Sequence, residues 1–304
     1  MEFRELLNTP GPVLLDGGMG TMLQARGLSI GEWPELAALE HPDWLEDIHR
    51  AYVEAGAQIL CANTFGANRE KLGRTGRTVE EVVPPSVEIA RRAARGRALV
   101  ALDVGPTGQL LEPTGTLRFE EAVDIFAQTV RAGVQAGADL ILIETMTDLQ
   151  EARAALLAAK ENSSLPVIVT MTYEERGRTF LGCDPASAAL TLEGMGADAI
   201  GVNCSLGPRE MPPLVRELTR WSTLPIAIKP NAGLPDPGGA GYDITAEEFA
   251  GSMAELTGLG VKLYGGCCGT TPEYIALLRE KLAGCTIVQV PRQVPAAVCS
   301  GTRT

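Results

Sequence analysis

One strand–helix unit of this 304-residue chain reads LILIETMTDLQEARAALLAAK, residues 140–160. It begins with a continuous apolar run, which is typical of a strand buried on both faces of a parallel sheet. Glu144 ends the run, and the apolar residues that follow recur at helical spacing. We therefore predict a buried strand over 140–144 and a helix over 148–160.

The same alternation recurs along the whole chain. Further apolar runs predict strands at 13–16, 59–62, 98–104, 167–171, 199–202, 225–229 and 261–264. Helical spacing after these runs predicts helices at 43–56, 78–95, 119–136, 185–194, 208–220, 245–257 and 271–282. Eight units in about 280 residues, each able to make a right-handed crossover, predict an α/β fold, the (β/α)8 TIM barrel. A doubly wound open sheet is the alternative, but the glycines of DGGMG at 16–20 lack the spacing of a dinucleotide-binding turn.

The chain is predicted to form a single domain. No internal repeat, low-complexity tract or linker interrupts it before residue 284, so we assign residues 1–284 to the barrel. The remaining segment, 285–304, contains Pro291 and Pro295 and shows no clear periodicity. We predict that this segment is a C-terminal tail.

Composition limits the possible partners. The chain has 26 Lys and Arg against 38 Asp and Glu, and the net charge of −12 argues against binding to nucleic acid or anionic lipid. No apolar run approaches the roughly 20 residues of a membrane helix, and the N-terminus lacks the features of a secretion signal. Seven irregularly spaced cysteines do not suggest a disulfide framework. We expect a cytoplasmic protein with no membrane or nucleic-acid partner.

Polar and sulfur-containing residues follow most of the predicted strands. In a barrel, chemistry is located at the carboxyl ends of the strands, which share one face. The residues at these ends are Asp16, Asn63, Asp103, Glu144, Asn203, Cys204, Lys229, Asn231, Cys267 and Cys268. We expect them to converge on that face.

Three of these residues, Cys204, Cys267 and Cys268, suggest a metal site. They follow the sixth and eighth strands, and three thiolates form a soft site for which zinc is the natural ion. Three protein ligands leave one position open, and such a site activates a substrate thiol for alkyl transfer. Free cysteine also occurs as a small buried hydrophobe, so both interpretations of the triple stay open. The buried interpretation is favoured for Cys61, Cys183 and Cys285.

Two acidic residues and two glycines suggest how a zwitterion would bind. Asp16 and Glu144 can hold an ammonium group, and the backbone amides of Gly17 and Gly18 can bind a carboxylate. The alternatives are a turn cap for Asp16, a surface ion pair for Glu144 and a simple tight turn for the glycines.

The two histidines of the chain, His41 and His49, fall at or within the first predicted helix. That position is away from the catalytic face, so we predict surface or capping roles for both. No Ser–His–acid arrangement is then available, which argues against a serine hydrolase.

Four motifs resemble those of a known family. DGGMGT at 16–21, NTFGAN at 63–68, GVNC at 201–204 and GGCCGTTP at 265–272 are similar to motifs of the homocysteine S-methyltransferases. The resemblance extends over about residues 10–285, and the double cysteine with an upstream Asn-Cys is highly specific. It implies a (β/α)8 barrel that makes methionine.

The resemblance also implies ligands for zinc and for substrate. Zinc would be held by Cys204, Cys267 and Cys268, and would bind the thiolate of L-homocysteine; Asn231 would take the fourth position when substrate is absent. Carboxylates would bind the substrate amino group, and backbone amides its carboxylate. The implied substrate contacts are Asp16, Gly17, Gly18, Asn63, Glu144 and Asn203.

Within this family, the first half of the chain most resembles the homocysteine-binding module of cobalamin-dependent methionine synthase. The final VCSGTRT at 298–304 resembles the connector that precedes its folate module. The expected donor is therefore a methyl-corrinoid, which would arrive either as free methylcobalamin or on another chain, a corrinoid protein or a separate folate or cobalamin subunit. The alternatives are S-methylmethionine or S-adenosylmethionine as donor, a non-catalytic homocysteine-binding subunit, and a barrel with a structural zinc and unrelated chemistry.

Overall fold

The computed structural model describes residues 2–29, 31–234, 241–288, 290 and 297–304. Within these residues, eight parallel strands form one sheet in the order β1-β8-β7-β6-β5-β4-β3-β2. They are β1 (Val13–Leu14), β2 (Ile59–Cys61), β3 (Leu99–Val104), β4 (Leu140–Met146), β5 (Val167–Met171), β6 (Ala199–Asn203), β7 (Ile226–Lys229) and β8 (Val261–Tyr264).

The sheet closes on itself between β1 and β2. The amide of Gln58 donates to the Leu14 carbonyl at 2.7 Å, and Leu15 forms a parallel bridge with Ile59. The predicted (β/α)8 barrel is therefore confirmed, and the doubly wound open sheet is excluded.

A helix follows every strand and covers the outside of the barrel. These helices are α4 (Pro42–Ala55), α6 (Val79–Ala94), α7 (Phe119–Gln135), α8 (Leu149–Asn162), α9 (Pro185–Gly194), α10 (Met211–Trp221), α11 (Ala246–Glu255) and α12 (Pro272–Leu282). Four begin one residue later than predicted because their N-caps are Thr78, Asp148, Thr245 and Thr271. The Thr78 hydroxyl accepts from the Glu81 amide at 3.3 Å, and the Asp148 carboxylate accepts from the Gln150 amide at 2.9 Å.

Four short helices were not predicted. They are α1 (Phe3–Asn8), α2 (Met19–Ala25), α3 (Ala37–Glu40) and α5 (Arg69–Leu72). Helices of so few turns are too short to show a hydrophobic period, and they are stabilised by the barrel on which they pack. Phe3 and Leu6 of α1, for example, join the apolar cluster inside the barrel.

The strands alternate between two apolar layers, as the two-residue period of a strand requires. In β4, Leu140 and Leu142 belong to the cluster inside the barrel, whereas Ile141 and Ile143 pack in the cluster under the helices. Continuing the alternation brings Glu144 to the inside at the carboxyl end of its strand. The barrel interior thus changes from apolar to polar at that end.

Part of the predicted tail lies along the outside of the barrel. Cys299 Sγ is 3.3 Å from the Thr191 hydroxyl of α9, and Arg178 donates to the Thr302 carbonyl at 3.0 Å. Residue 289 and residues 291–296 of that tail lie outside the described residues. In the part of the chain that is described, no helix is both long and apolar enough to cross a membrane.

Candidate active site

A cavity of about 350 Å³, here called the mouth cavity, lies at the carboxyl end of the barrel. Every strand except β5 contributes residues at its carboxyl end to the lining, and further residues come from α2 and from positions 34 and 35. The lining residues are Gly17, Gly18, Met19, Gly20, Thr21, Pro34, Glu35, Cys61, Ala62, Asn63, Phe65, Asp103, Glu144, Thr145, Cys204, Lys229, Gly266, Cys267 and Cys268. The residues predicted from strands far apart in sequence therefore do converge.

Three cysteines form a compact thiol cluster in this lining. The Sγ atoms of Cys204, Cys267 and Cys268 all lie within 4.8 Å of one another, and those of Cys267 and Cys268 are 4.0 Å apart. At a Zn–S distance of about 2.3 Å, a tetrahedral ion keeps its sulfur ligands about 3.8 Å apart. The donor atoms and their spacing thus fit a zinc ion, and the side exposed to the mouth cavity leaves room for a further ligand.

The two adjacent cysteines project to the same site because the backbone leaves the strand pleat. The Cys267 amide donates to the Pro230 carbonyl at 2.9 Å, and the Cys268 amide donates to Asn231 Oδ1 at 3.1 Å. Gly269 follows with a φ of +81°, a left-handed conformation that suits glycine. In a regular strand the two side chains would lie on opposite faces.

The third cysteine also occupies an unusual backbone conformation. Cys204 follows β6 with a φ of +59°, and Ser205 has a φ of +60°. The Cys204 amide donates to the Lys229 carbonyl at 3.0 Å, which fixes the thiol beside β7. Left-handed non-glycine residues are uncommon and are concentrated at functional sites.

Four buried carboxyl groups, those of Asp16, Glu35, Asp103 and Glu144, lie around the mouth cavity. Asp16 accepts a hydrogen bond from the Cys61 amide at 2.7 Å through Oδ2, but its Oδ1 is buried without a partner in the described residues. Asp103 likewise has a buried Oδ1 without a partner. Burial raises the pKa of Asp16 to about 6, despite the opposing charge of Lys229. Burial and the charge of Glu144 raise the pKa of Asp103 well above its usual value.

A buried lysine accompanies these acids. Lys229 Nζ is 2.6 Å from Glu144 Oε2 and 3.3 Å from Cys61 Sγ. Burial alone lowers the pKa of Lys229, but its acidic neighbours, led by Cys61 and Glu144, outweigh burial and raise that pKa. No site role was predicted for Lys229 or Asp103. Their signal in the sequence is the strand alternation, which places both on the inward face.

Gly17 and Gly18 lie at the cavity edge in close contact with the loop after β8. The Gly18 amide donates to the Thr270 hydroxyl at 3.1 Å. A Cβ atom at Gly18 would come within 2.7 Å of the Cys267 carbonyl oxygen, so a side chain there would displace the loop that carries the cysteines. Position 18 therefore requires glycine because the loop after β8 approaches its backbone closely, whether or not the glycine also contacts substrate.

The predicted asparagines occupy different surroundings. Asn63 lines the mouth cavity and donates from Nδ2 to the Pro34 carbonyl at 2.6 Å. Asn203 is fully buried next to Cys204 and bonds the side chains of Thr145 and Thr170. Asn231 is buried, and its Oδ1 accepts a hydrogen bond from the Cys268 amide.

One prediction about the histidines was wrong. His49 of α4 is fully buried, and burial lowers its pKa to about 3. Its helix presents Leu45, Ile48 and Tyr52 to the core, and His49 lies on that same face. His41 is the N-cap residue of α4, as predicted.

The sequence of this chain is similar to that of known proteins. The family model described as homocysteine S-methyltransferase matches residues 13–282. Methionine synthase of Mycobacterium leprae (strain TN) is 34% identical over 299 residues, and that of Mycobacterium tuberculosis (strain ATCC 25618 / H37Rv) is 36% identical over 303 residues. These alignments cover 91% and 92% of this chain but 25% of each relative. The chain therefore spans about a quarter of the length of these curated relatives.

Solved structures of similar proteins share the fold of this chain. The metallated form of the homocysteine methyltransferase MmuM from Escherichia coli superposes with a TM-score of 0.78 at 24% identity, and covers 91% of this chain and 99% of that chain. Its apo form superposes with a TM-score of 0.72 at 26% identity, and covers 91% and 98%. The first similarity concerns the fold alone, whereas the family match and the mycobacterial relatives concern the sequence itself. This chain belongs to the homocysteine S-methyltransferase family of methyltransferases.

Proposed function

We propose that this chain transfers a methyl group to the thiol of L-homocysteine and so forms methionine. The observation that carries the proposal is the thiol cluster, whose three Sγ atoms lie within 4.8 Å of one another at the edge of a cavity that also holds buried carboxyl groups. In this proposal, a thiol-binding metal site and an ammonium-binding site would share one cavity.

Cys204, Cys267 and Cys268 would hold the zinc ion. A zinc ion with three thiolate ligands lowers the pKa of a substrate thiol at its open position and leaves the sulfur nucleophilic. The backbone contacts of Cys267 and Cys268 with Pro230 and Asn231 fix the protein sulfurs before substrate arrives. We also propose that Asn231 takes the open position in the absence of substrate.

The carboxyl groups would hold the substrate's amino group. Buried polar atoms are normally hydrogen-bonded, and Asp16 Oδ1 has no partner among the described residues. An ammonium group would satisfy this atom and bind Glu144 as well. These contacts restrict the substrate to thiols that carry an amino group.

The substrate carboxylate would lie next to the amino group, since the same carbon atom carries both and Gly17 follows Asp16 in the chain. Because the Gly18 amide already donates to Thr270, the donors would be the other backbone amides around Gly17 and Gly18, which bring no further positive side chain into the cavity. Asn63, which also lines the cavity, is a further proposed substrate contact. Asn203 is not proposed as a direct contact, because its side chain is fully buried and does not line the cavity.

The proposed donor is a methyl-corrinoid, presented as methylcobalamin or on a corrinoid protein or a separate folate or cobalamin subunit. The identity of 34% and 36% to two methionine synthases supports methionine as the product. The corrinoid donor rests on the resemblance of the first half of the chain to the cobalamin-dependent enzymes. The homocysteine sulfur would attack the methyl group in line, and the corrinoid would leave with the bonding electron pair.

A direct assay tests the activity and the donor. The purified zinc-loaded chain is incubated with L-homocysteine and either methylcobalamin, S-methylmethionine or S-adenosylmethionine, and methionine is measured. We expect methionine from methylcobalamin, and none from the Cys267→Ala variant. If methionine forms only with S-methylmethionine or S-adenosylmethionine, the donor is a methylsulfonium compound. Tight homocysteine binding without turnover from any donor would indicate a binding subunit.

A further inference from the structure

A fully buried side chain connects the two halves of the proposed substrate site. Asn203 Oδ1 accepts hydrogen bonds from the Thr145 amide and the Thr170 hydroxyl, each at 2.7 Å. Asn203 Nδ2 donates to the Thr145 hydroxyl, also at 2.7 Å. Asn203 precedes Cys204 of the thiol cluster, and Thr145 follows Glu144. The side-chain amide of Asn203 thus connects the segment that carries Cys204 to the segment that carries Glu144.

Thr145 needs this support because its backbone conformation is unfavourable. Its φ is +61°, in the left-handed region that a β-branched residue rarely adopts. The pairing of β4 with β5 also shifts register between Ile143 and Met146, so the strand ladder does not hold Thr145 in place. The bonds from Asn203 to both the amide and the hydroxyl of Thr145 do hold it.

We propose that Asn203 is a positioning residue that sets the distance between the thiol cluster and the Glu144 carboxylate. It does so by fixing the left-handed turn at Thr145, which determines where the preceding Glu144 side chain points. The inference rests on the proposed function, in which homocysteine spans these two groups. It assigns to Asn203 an indirect role in selecting substrate length, in place of the direct substrate contact that the family resemblance implies.

Substrate length is the property that this arrangement controls. Homocysteine has one methylene group more than cysteine between its sulfur and its amino-bearing carbon. With the carboxylate fixed at one distance from the thiol cluster, only one of these two amino thiols reaches both groups. A mobile carboxylate would bind homocysteine more weakly and would discriminate less against cysteine.

The metal side of the site has its own support. The Cys204 amide donates to the Lys229 carbonyl at 3.0 Å, and the Thr172 hydroxyl donates to the Asn203 carbonyl at 2.9 Å. Neither bond uses the Asn203 side chain. Truncation of that side chain should therefore leave the three cysteines able to hold zinc.

The test uses calorimetry on the zinc-loaded chain, with L-homocysteine and L-cysteine as titrants. For Asn203→Ala we expect full zinc content, a homocysteine Kd raised about tenfold, as expected for loss of a buried hydrogen-bond partner, and a smaller change for cysteine. Adding Thr145→Gly to this variant should restore part of the homocysteine affinity, because glycine adopts the left-handed conformation without support.

A control separates positioning from general destabilisation. Asp198→Ala removes contacts at the opposite end of the same strand, where Asp198 accepts from the Val167 amide at 2.9 Å and from Lys160 at 3.0 Å. We expect this variant to lose stability but to keep the ratio of the cysteine Kd to the homocysteine Kd. An equal fall of that ratio in Asp198→Ala, or no change of it in Asn203→Ala, would overturn the inference.

A second variant applies if Asn203→Ala does not fold. Thr145→Val keeps the branched shape but leaves Asn203 Nδ2 without its acceptor, and should raise the homocysteine Kd about threefold with little change for cysteine. An unchanged ratio in this variant would overturn the inference. Absence of homocysteine binding to the unaltered chain would instead contradict the proposed function, and the inference with it.

Discussion

Lys229 donates a hydrogen bond from Nζ to Oε2 of Glu144 across 2.6 Å, and both side chains are buried beside the mouth cavity. The carboxylate proposed to bind the substrate's ammonium group therefore already has a cation of the protein as its partner. Asp16 and Asp103 add two further buried carboxyl groups, each with an oxygen that lacks a partner in the described residues. The site holds more acid than Lys229 can neutralise, which favours binding of a second cation.

We expect Lys229 to contribute to the stability of the fold. For Lys229→Met we expect the free energy of unfolding to fall by about 3 kcal/mol, because removing one partner of a buried ion pair leaves the other charge uncompensated. Chemical denaturation at pH 7 measures the change. Lys160→Met is the matched control, since its pair with Asp198 at 3.0 Å is partly exposed and should contribute less than about 1 kcal/mol. Equal losses in the two variants would contradict this role.

Homocysteine binding should depend on the ionisation of Asp16. Burial raises the pKa of this carboxyl group to about 6, so its negative charge develops as the pH rises through that value. The substrate amino group stays protonated in this range, and its attraction to Asp16 should therefore strengthen as the pH rises. We expect the part of the affinity due to Asp16 to increase about tenfold between pH 5 and pH 7, as the ionised fraction increases.

Asp16→Asn isolates that contribution from the ionisation of the substrate thiol. Calorimetric Kd values for homocysteine at several pH values are compared between the unaltered chain and the variant. The difference between the two should be small at pH 5 and large at pH 7. A difference that stays constant with pH would show that Asp16 does not titrate in this range.

Glu144 should affect substrate binding without affecting the metal. For Glu144→Gln we expect the homocysteine Kd to rise roughly thirtyfold, equivalent to about 2 kcal/mol for a lost charged hydrogen bond, with zinc content unchanged. Glu151→Gln is the control, because Glu151 is also buried but bonds the amide and hydroxyl of Thr107 instead. Loss of zinc from Glu144→Gln would make Glu144 a structural part of the metal site.

Each member of the thiol cluster should be required. Cys204→Ala, Cys267→Ala and Cys268→Ala should each lose most of the zinc and all methyl transfer, as measured by metal analysis and methionine formation. Cys285→Ala should retain both, because Cys285 lies after α12, outside the cavity lining. Full zinc content and activity in any one of the three variants would contradict the assigned ligand set.

The barrel could be predicted from the sequence because its strands are encoded by continuous apolar runs. β3 and β5, for example, were placed within one residue of their observed bounds. The convergence of Cys204 with Cys267 and Cys268 followed from the same prediction, because the carboxyl ends of parallel strands meet. These features depend on local patterns, which a single sequence contains.

Other parts of the site depend on contacts between distant residues. Thr145 and Asn203 are 58 positions apart, and no local pattern indicates that one holds the other. The short helix α2 falls in a glycine-rich stretch and is stabilised by packing rather than by helix propensity. His49 is different, since the helical spacing of Leu45, Ile48 and Tyr52 does place it on the buried face.

Zinc K-edge X-ray absorption, with and without L-homocysteine, tests thiol activation at the cluster most directly. We expect a shell of three sulfur atoms from Cys204, Cys267 and Cys268, which becomes four when substrate is added. The Cys267→Ala variant serves as control and should show no such change. Absence of the metal, or a sulfur shell that does not respond to homocysteine, would contradict the proposal that these cysteines bind zinc for methyl transfer.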